Sequence, residues 1–184
     1  MILIANGCSH AAGAEIEYEM QGECYDKAWP KKLADLLNYK HMNLAVSGAS
    51  DDRVVRTTIE CIGRLKKEPW FDPSQLFVII SWPGLHRSEI YEIESNEPGF
   101  WDKGWMPLVV GNYETYKEQC SKSSLFYYKA WVLRQNHFEA TIKFFSNVLL
   151  LQNILISNKI KYLFWNSCSS VCLNRQEPYF TEIN

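Results

Sequence analysis

No apolar run in this chain approaches the roughly 20 residues that a membrane-spanning helix needs. The longest, Val148 to Ile156, is interrupted by Gln152 and Asn153. The N-terminus has no basic stretch ahead of its short apolar run, so no secretory signal is expected and cytoplasmic residence is the default. Net charge is also small, at -2. Without a basic stripe to neutralise phosphates, neither nucleic acid nor an anionic membrane is expected as a partner. The six cysteines, at positions 8, 24, 61, 120, 168 and 172, lack a framework spacing and are expected as thiols rather than disulfides. Cys168-x-x-x-Cys172 has no Cys-x-x-Cys or His-x-x-x-His companion, so neither a metal nor a cofactor is expected.

A hydrophobic share of 47% against 22% charged residues specifies a folded chain, and 184 residues suffice for one domain with a sizeable core. Ile2-Leu3-Ile4-Ala5 reads as a short buried strand. A polar loop at roughly 10 to 27 carries Glu15, Glu17, Glu19, Glu23 and Asp26. Trp29-Pro30 then opens a helix through Asn38 with Leu33, Leu36 and Leu37 expected on its inner side. Asn43-Leu44-Ala45-Val46 reads as a second strand. A helix from Asp51 to about Leu65, capped by Ser50 or Asp51, repeats Val54, Val55, Thr58, Ile59, Ile62 and Leu65 at helical spacing. Leu76 to Ile80 is the strongest strand signal, apolar throughout as central parallel strands are.

From about 83 to 125 the chain reads as irregular and rich in Trp, Tyr, Pro and Gly. Phe138, Ile142, Phe145, Leu149 and Ile156 then mark a long helix, and Ile160 to Trp165 a fourth strand, with loop or tail after it. This alternation predicts an α/β fold: a three-layer α/β/α sandwich on a mainly parallel sheet, one domain over 1–184 with an aromatic-rich insertion at about 83–130. The ring cluster of that insertion, Trp101, Trp105, Tyr113, Tyr116, Phe126, Tyr127, Tyr128 and Trp131, is expected as a satellite core; exposed, it would suit sugars or acyl chains.

Right-handed crossovers place the loops after the first three strands along one edge, where open α/β sheets carry their chemistry. That edge gathers Gly7-Cys8-Ser9-His10, the Gly48 loop, and Ser81-Trp82-Pro83-Gly84. Ser9 at a strand end is a candidate nucleophile, and Cys8 beside it an alternative one. Taken in order, Gly7-Cys8-Ser9-His10, Asn43-Leu44-Ala45-Val46-Ser47-Gly48-Ala49-Ser50 and the block after the third strand resemble the SGNH hydrolase superfamily of GDSL-type esterases. Ile79-Ile80-Ser81-Trp82 followed by Arg87-Ser88-Glu89 is similar in particular to small phage and bacterial SGNH-like proteins. The resemblance covers roughly residues 1 to 90.

The resemblance implies a flavodoxin-like sheet and acyl transfer, in which the Ser9 hydroxyl attacks an ester carbonyl. It implies an oxyanion hole from the Ser9 N–H, the Gly48 N–H and, where the family has Asn, Ser81. His10, Arg87 and Glu89 fall where substrate contacts are expected, although Arg87 and Glu89 could instead pair with each other to fix the loop. The family's base comes from an Asp-x-x-His block after the last strand, and no His follows His137. The chain stops about twenty residues past its fourth strand, so a shortened C-terminus is expected. Of the four histidines His86 is the candidate base. His10 adjoins the serine, His137 opens the long helix, and His41 precedes a strand on the opposite edge. Two functions are therefore expected: an esterase or deacetylase acting on a small-molecule or carbohydrate ester, or an inactive SGNH-fold binding or structural module of phage origin.

Overall fold

Strand β1 (Ile2–Gly7) is buried from Leu3 onward and runs between two parallel neighbours. The computed structural model describes residues 1–14, 16, 24–91 and 104–168. The acidic run at Glu15, Glu17, Glu19 and Glu23, together with Trp101, Cys172 and the last residues, lies outside them. Along the described chain follow α1 (Ser9–Ala12), α2 (Trp29–Leu37), β2 (Lys40–Asn43), α3 (Asp51–Leu65), a 3-10 turn (Pro73–Gln75) and β3 (Leu76–Trp82). Next come β4 (Arg87–Tyr91), β5 (Trp105–Val109), α4 (Tyr113–Gln119), α5 (Lys122–Leu133), α6 (His137–Ser157) and β6 (Lys161–Asn166).

The main sheet is parallel with order β2-β1-β3-β6, so the chain reverses its direction of winding between β1 and β3. Alternation along the strands sends successive side chains to opposite faces. Ile4, Val78 and Ile80 meet Val54 and Ile62 of α3 and Phe144, Leu151 and Leu155 of α6. Leu3 and Ile79 point the other way and meet Ala34, with Trp29 and Leu33 packed against them. Burial of both faces is why β1 and β3 are almost wholly apolar. Helix α3 begins as its sequence demands, with Ser50 Oγ accepting from the Arg53 N–H at 3.2 Å.

Four expectations are corrected. Strand β2 occupies Lys40–Asn43, earlier than Asn43 to Val46. The Asn43 side chain takes the Ala45 N–H at 3.1 Å and turns the chain out of the ladder. In α2 Leu33 faces inward as expected, beside the buried Pro30 and Ala34, whereas Leu36 is 84% exposed and Leu37 is exposed as well. The small Ala34 side chain lets that helix approach Leu3 closely. In α6 the buried stripe is Thr141, Phe144, Leu151 and Leu155, leaving Phe138, Ile142, Leu149 and Ile156 exposed.

Finally, the stretch read as irregular from 83 to 125 holds the antiparallel β4–β5 pair and helices α4 and α5. Met106, Leu108, Tyr116 and Tyr128 form its own buried cluster, while Phe126 and Tyr127 stay exposed. By length and composition α6 is apolar enough to cross a membrane; here it lays Phe144, Leu151 and Leu155 into the core beneath the sheet.

Candidate functional site

The end of β1 is anchored by a buried amide. Asn6 is fully buried, and its Nδ2 lies 2.8 Å from Thr57 Oγ1, 2.9 Å from Thr58 Oγ1 and 3.1 Å from the Val54 carbonyl of α3. Its Oδ1 accepts the Gly7 N–H at 2.8 Å, so both halves of the amide are used, as burial requires. Gly7 follows because nothing larger fits: a Cβ there would stand 2.6 Å from the Ser81 carbonyl oxygen and 3.2 Å from the Ala11 Cβ.

Cys8 then caps α1, its carbonyl accepting the N–H groups of Ala11 and Ala12, both at 3.0 Å. Ser9 occupies the first helical position and is half-buried. Among the described residues no side chain hydrogen-bonds its hydroxyl. Asn43 joins this turn to the second block: its Nδ2 donates to the Ala11 carbonyl at 2.8 Å while its Oδ1 holds the Ala45 N–H. Gly48 lies a few residues on, half-buried, in the left-handed conformation at φ 76° that favours glycine. Among the described residues a Cβ there would touch only Val109 and Pro107 of β5, at ordinary contact distances of 3.7 and 4.0 Å.

Ser81 pairs with Gly7 in the ladder and is fully buried, its hydroxyl without a partner among the described residues. Arg87 reaches the edge: its Nη1 donates to the Ala49 carbonyl at 3.3 Å, and its charge acts on Cys8 and Asp51. Glu89 does not pair with Arg87, because both its oxygens are taken by Arg56 of α3. His10 is exposed beside Ser9. His86 engages Gln135 Oε1 through Nδ1 and His137 Nδ1 through Nε2, both at 3.3 Å, and Ser9 is not among its partners. The turn before β4 carries it to the α5–α6 junction.

Three further groups at this edge were not expected there from sequence. Asp51, at the first position of α3, is 2% exposed, and its Oδ1 has no partner among the described residues. Burial, and then the charge of Asp52, push its carboxyl up to about 8 against the pull of Lys143 and Arg87. An acid in the first turn of a helix reads as an ordinary dipole partner, and only the overlying chain makes it buried. Asp52 beside it is held by Lys143, Ser88 and Asn147. The third is Cys168, whose Sγ lies 3.4 Å from that of Cys8.

Arg87 also lines a cleft of about 340 Å³ between β4 and the α5–α6 junction, together with Ser88, Tyr127, Trp131, Gln135 and Lys143. The arrangement defines an α/β protein with a mainly parallel sheet and a polar cluster at the β1/β3 reversal, where ligands of open α/β sheets bind. The chain belongs to DUF6071, a family of unknown function whose model matches residues 15–182. No curated protein and no solved structure matches it.

Proposed function

We propose that this chain is an SGNH-type hydrolase of carboxylic esters, built on a three-layer α/β/α sandwich, with Ser9 as nucleophile. The observation that carries the reading is the Asn43 clamp. One side chain bonds the Ser9 helix at Ala11 and the turn leading to Gly48, which supports the reading by tying the chain leaving β1 to the chain leaving β2. There the Ser9 hydroxyl adds to the ester carbonyl, and the N–H groups of Ser9 and Gly48 receive the oxyanion, which needs donors at about 2.7–3.1 Å. Collapse expels the alcohol and leaves an acyl-serine, which water then hydrolyses. Arg87 orients a polar oxygen of the substrate, and the rings of Trp131 and Tyr127 offer the adjoining cleft a stacking surface for a carbohydrate ester. For His86 to act as base, its ring must leave Gln135 and His137.

A second reading, an SGNH-fold binding module without turnover, is favoured by one observation: among the described residues no side chain hydrogen-bonds the Ser9 hydroxyl. Incubating the protein with a fluorophosphonate probe and with p-nitrophenyl acetate separates the two. Probe attachment at Ser9, with turnover lost in Ser9→Ala, is the expected result. An unlabelled serine in a chain with native circular dichroism would overturn the hydrolase and leave the binding module.

A further inference from the structure

We propose that Cys8 and Cys168 are a redox-active pair that closes reversibly into a disulfide, tying the turn after β1 to the chain leaving β6. The two residues are 160 positions apart in sequence, yet their sulfurs lie 3.4 Å from each other across the end of β3. That proximity is built by the fold. Ser167 donates both its N–H and its hydroxyl to the Trp82 carbonyl, at 3.2 and 2.9 Å, which holds the last residues of β6 over the end of β3. Ser167 Oγ also lies 3.8 Å from Cys8 Sγ. Closing the gap to a covalent bond of about 2.05 Å needs roughly 1.4 Å of travel. Cys168 is exposed and can supply it, while Cys8 is fully buried.

This asymmetry sets the order of events. Although burial opposes ionisation, the Cys8 thiol is held below its ordinary value by the His10 N–H, by Cys168 and Ser167, and by the charge of Arg87. Burial and the Cys8 sulfur raise that of Cys168. Cys168 is therefore the residue an oxidant meets, and Cys8 the thiolate that resolves. With a small-molecule disulfide as oxidant, the Cys168 thiolate attacks one of its sulfurs, breaks the S–S bond and releases one thiolate, forming a mixed disulfide. Cys8 then attacks Cys168 Sγ and expels the second thiolate, and the two protein protons end on the two released thiols. The protein loses two electrons and two protons, and the small disulfide is reduced to two thiols. The bridge forms one residue from Ser9 and clamps the turn that carries it, whether or not that serine is catalytic.

The test is incubation of the native full chain with oxidised glutathione, an acid quench with alkylation, digestion without reductant, and mass spectrometry. The expected product is one peptide pair joining Cys8 to Cys168, lighter by two hydrogens than the dithiol and separated by dithiothreitol. Cys168→Ser should lose the cross-link and leave Cys8 unmodified, while Cys8→Ser should trap Cys168 as a stable glutathione adduct. Cys61→Ser should leave the cross-link in place. Since Cys8 is buried, Cys168→Ser at its exposed position carries the test if Cys8→Ser fails to fold. A glutathione adduct accumulating on Cys168 of the unaltered chain without the cross-link would overturn the proposal. So would pairing of Cys8 with another cysteine, or no reaction at either thiol.

Discussion

Arg56 on α3 donates through Nε and Nη2 to the two carboxylate oxygens of Glu89 on β4, at 2.7 and 2.9 Å. The Glu89 side chain is only 4% exposed, and the Arg56 guanidinium also covers the Trp105 ring at 4.5 Å from its centroid. This fork joins the β4–β5 pair to the helix that follows the Gly48 loop. Removing one partner leaves a buried carboxylate uncompensated, which costs far more than losing a surface pair. Arg56→Met is expected to lower stability by about 3 kcal/mol in urea denaturation, and adding Glu89→Leu should recover much of that loss. A cost under about 1 kcal/mol would class the pair with exposed ones.

Asn6→Ala removes a donor shared by Thr57, Thr58 and the Val54 carbonyl and leaves buried acceptors bare. The expected cost is about 2–3 kcal/mol. Equilibrium unfolding gives this value, and unchanged stability would mean that water or a rotated threonine replaces the amide.

The two site glycines should respond differently. Gly7→Ala drives a methyl group to 2.6 Å from a backbone oxygen and should cost about 1–3 kcal/mol as β1 and β3 separate. Gly48→Ala meets no clash and pays only for its left-handed backbone, about 1 kcal/mol. Thermal unfolding of the two variants should rank them in that order.

Asp51 makes stability depend on pH. Its carboxyl is pushed up to about 8 by burial first and by Asp52 second, whereas an unfolded aspartate titrates near 4. Between those values the folded chain keeps a proton that the unfolded chain has released, so this group's contribution falls as pH rises across the window. The slope is up to about 1.4 kcal/mol per pH unit. Below the window both states are protonated and the contribution is flat; above it both are ionised and the destabilisation is complete. Asp51→Asn should flatten the slope and gain stability, relative to the parent, at the alkaline end. Urea midpoints taken at intervals across the window test this, and a variant with the parent's slope would assign the dependence elsewhere.

Local pattern carried much of the fold. The apolar runs of β1, β3 and β6 and the helical repeat of α3 are set by neighbours a few residues apart, as are the Ser50 cap and the glycine at position 7, and these were legible in the sequence. So was the meeting of the Ser9 turn, the Gly48 loop and the end of β3 at one edge, since right-handed crossovers leave little choice. Other features needed the folded chain. Asn43 ends β2 because its side chain finds a backbone N–H inside a specific turn, and Glu89 chooses Arg56 over Arg87 because α3 lies beneath β4. Leu36 and the outer stripe of α6 look like core residues by spacing, and only the position of the sheet decides which side of a helix is covered. His86 meets Gln135 and His137 for the same reason, carried to the α5–α6 junction by the turn before β4. Sequence periodicity governs which segments become strands and helices. Strand order and register decide which distant side chains meet, Cys8 with Cys168 and Asp51 beneath its neighbours, because burial and contact belong to the packed chain.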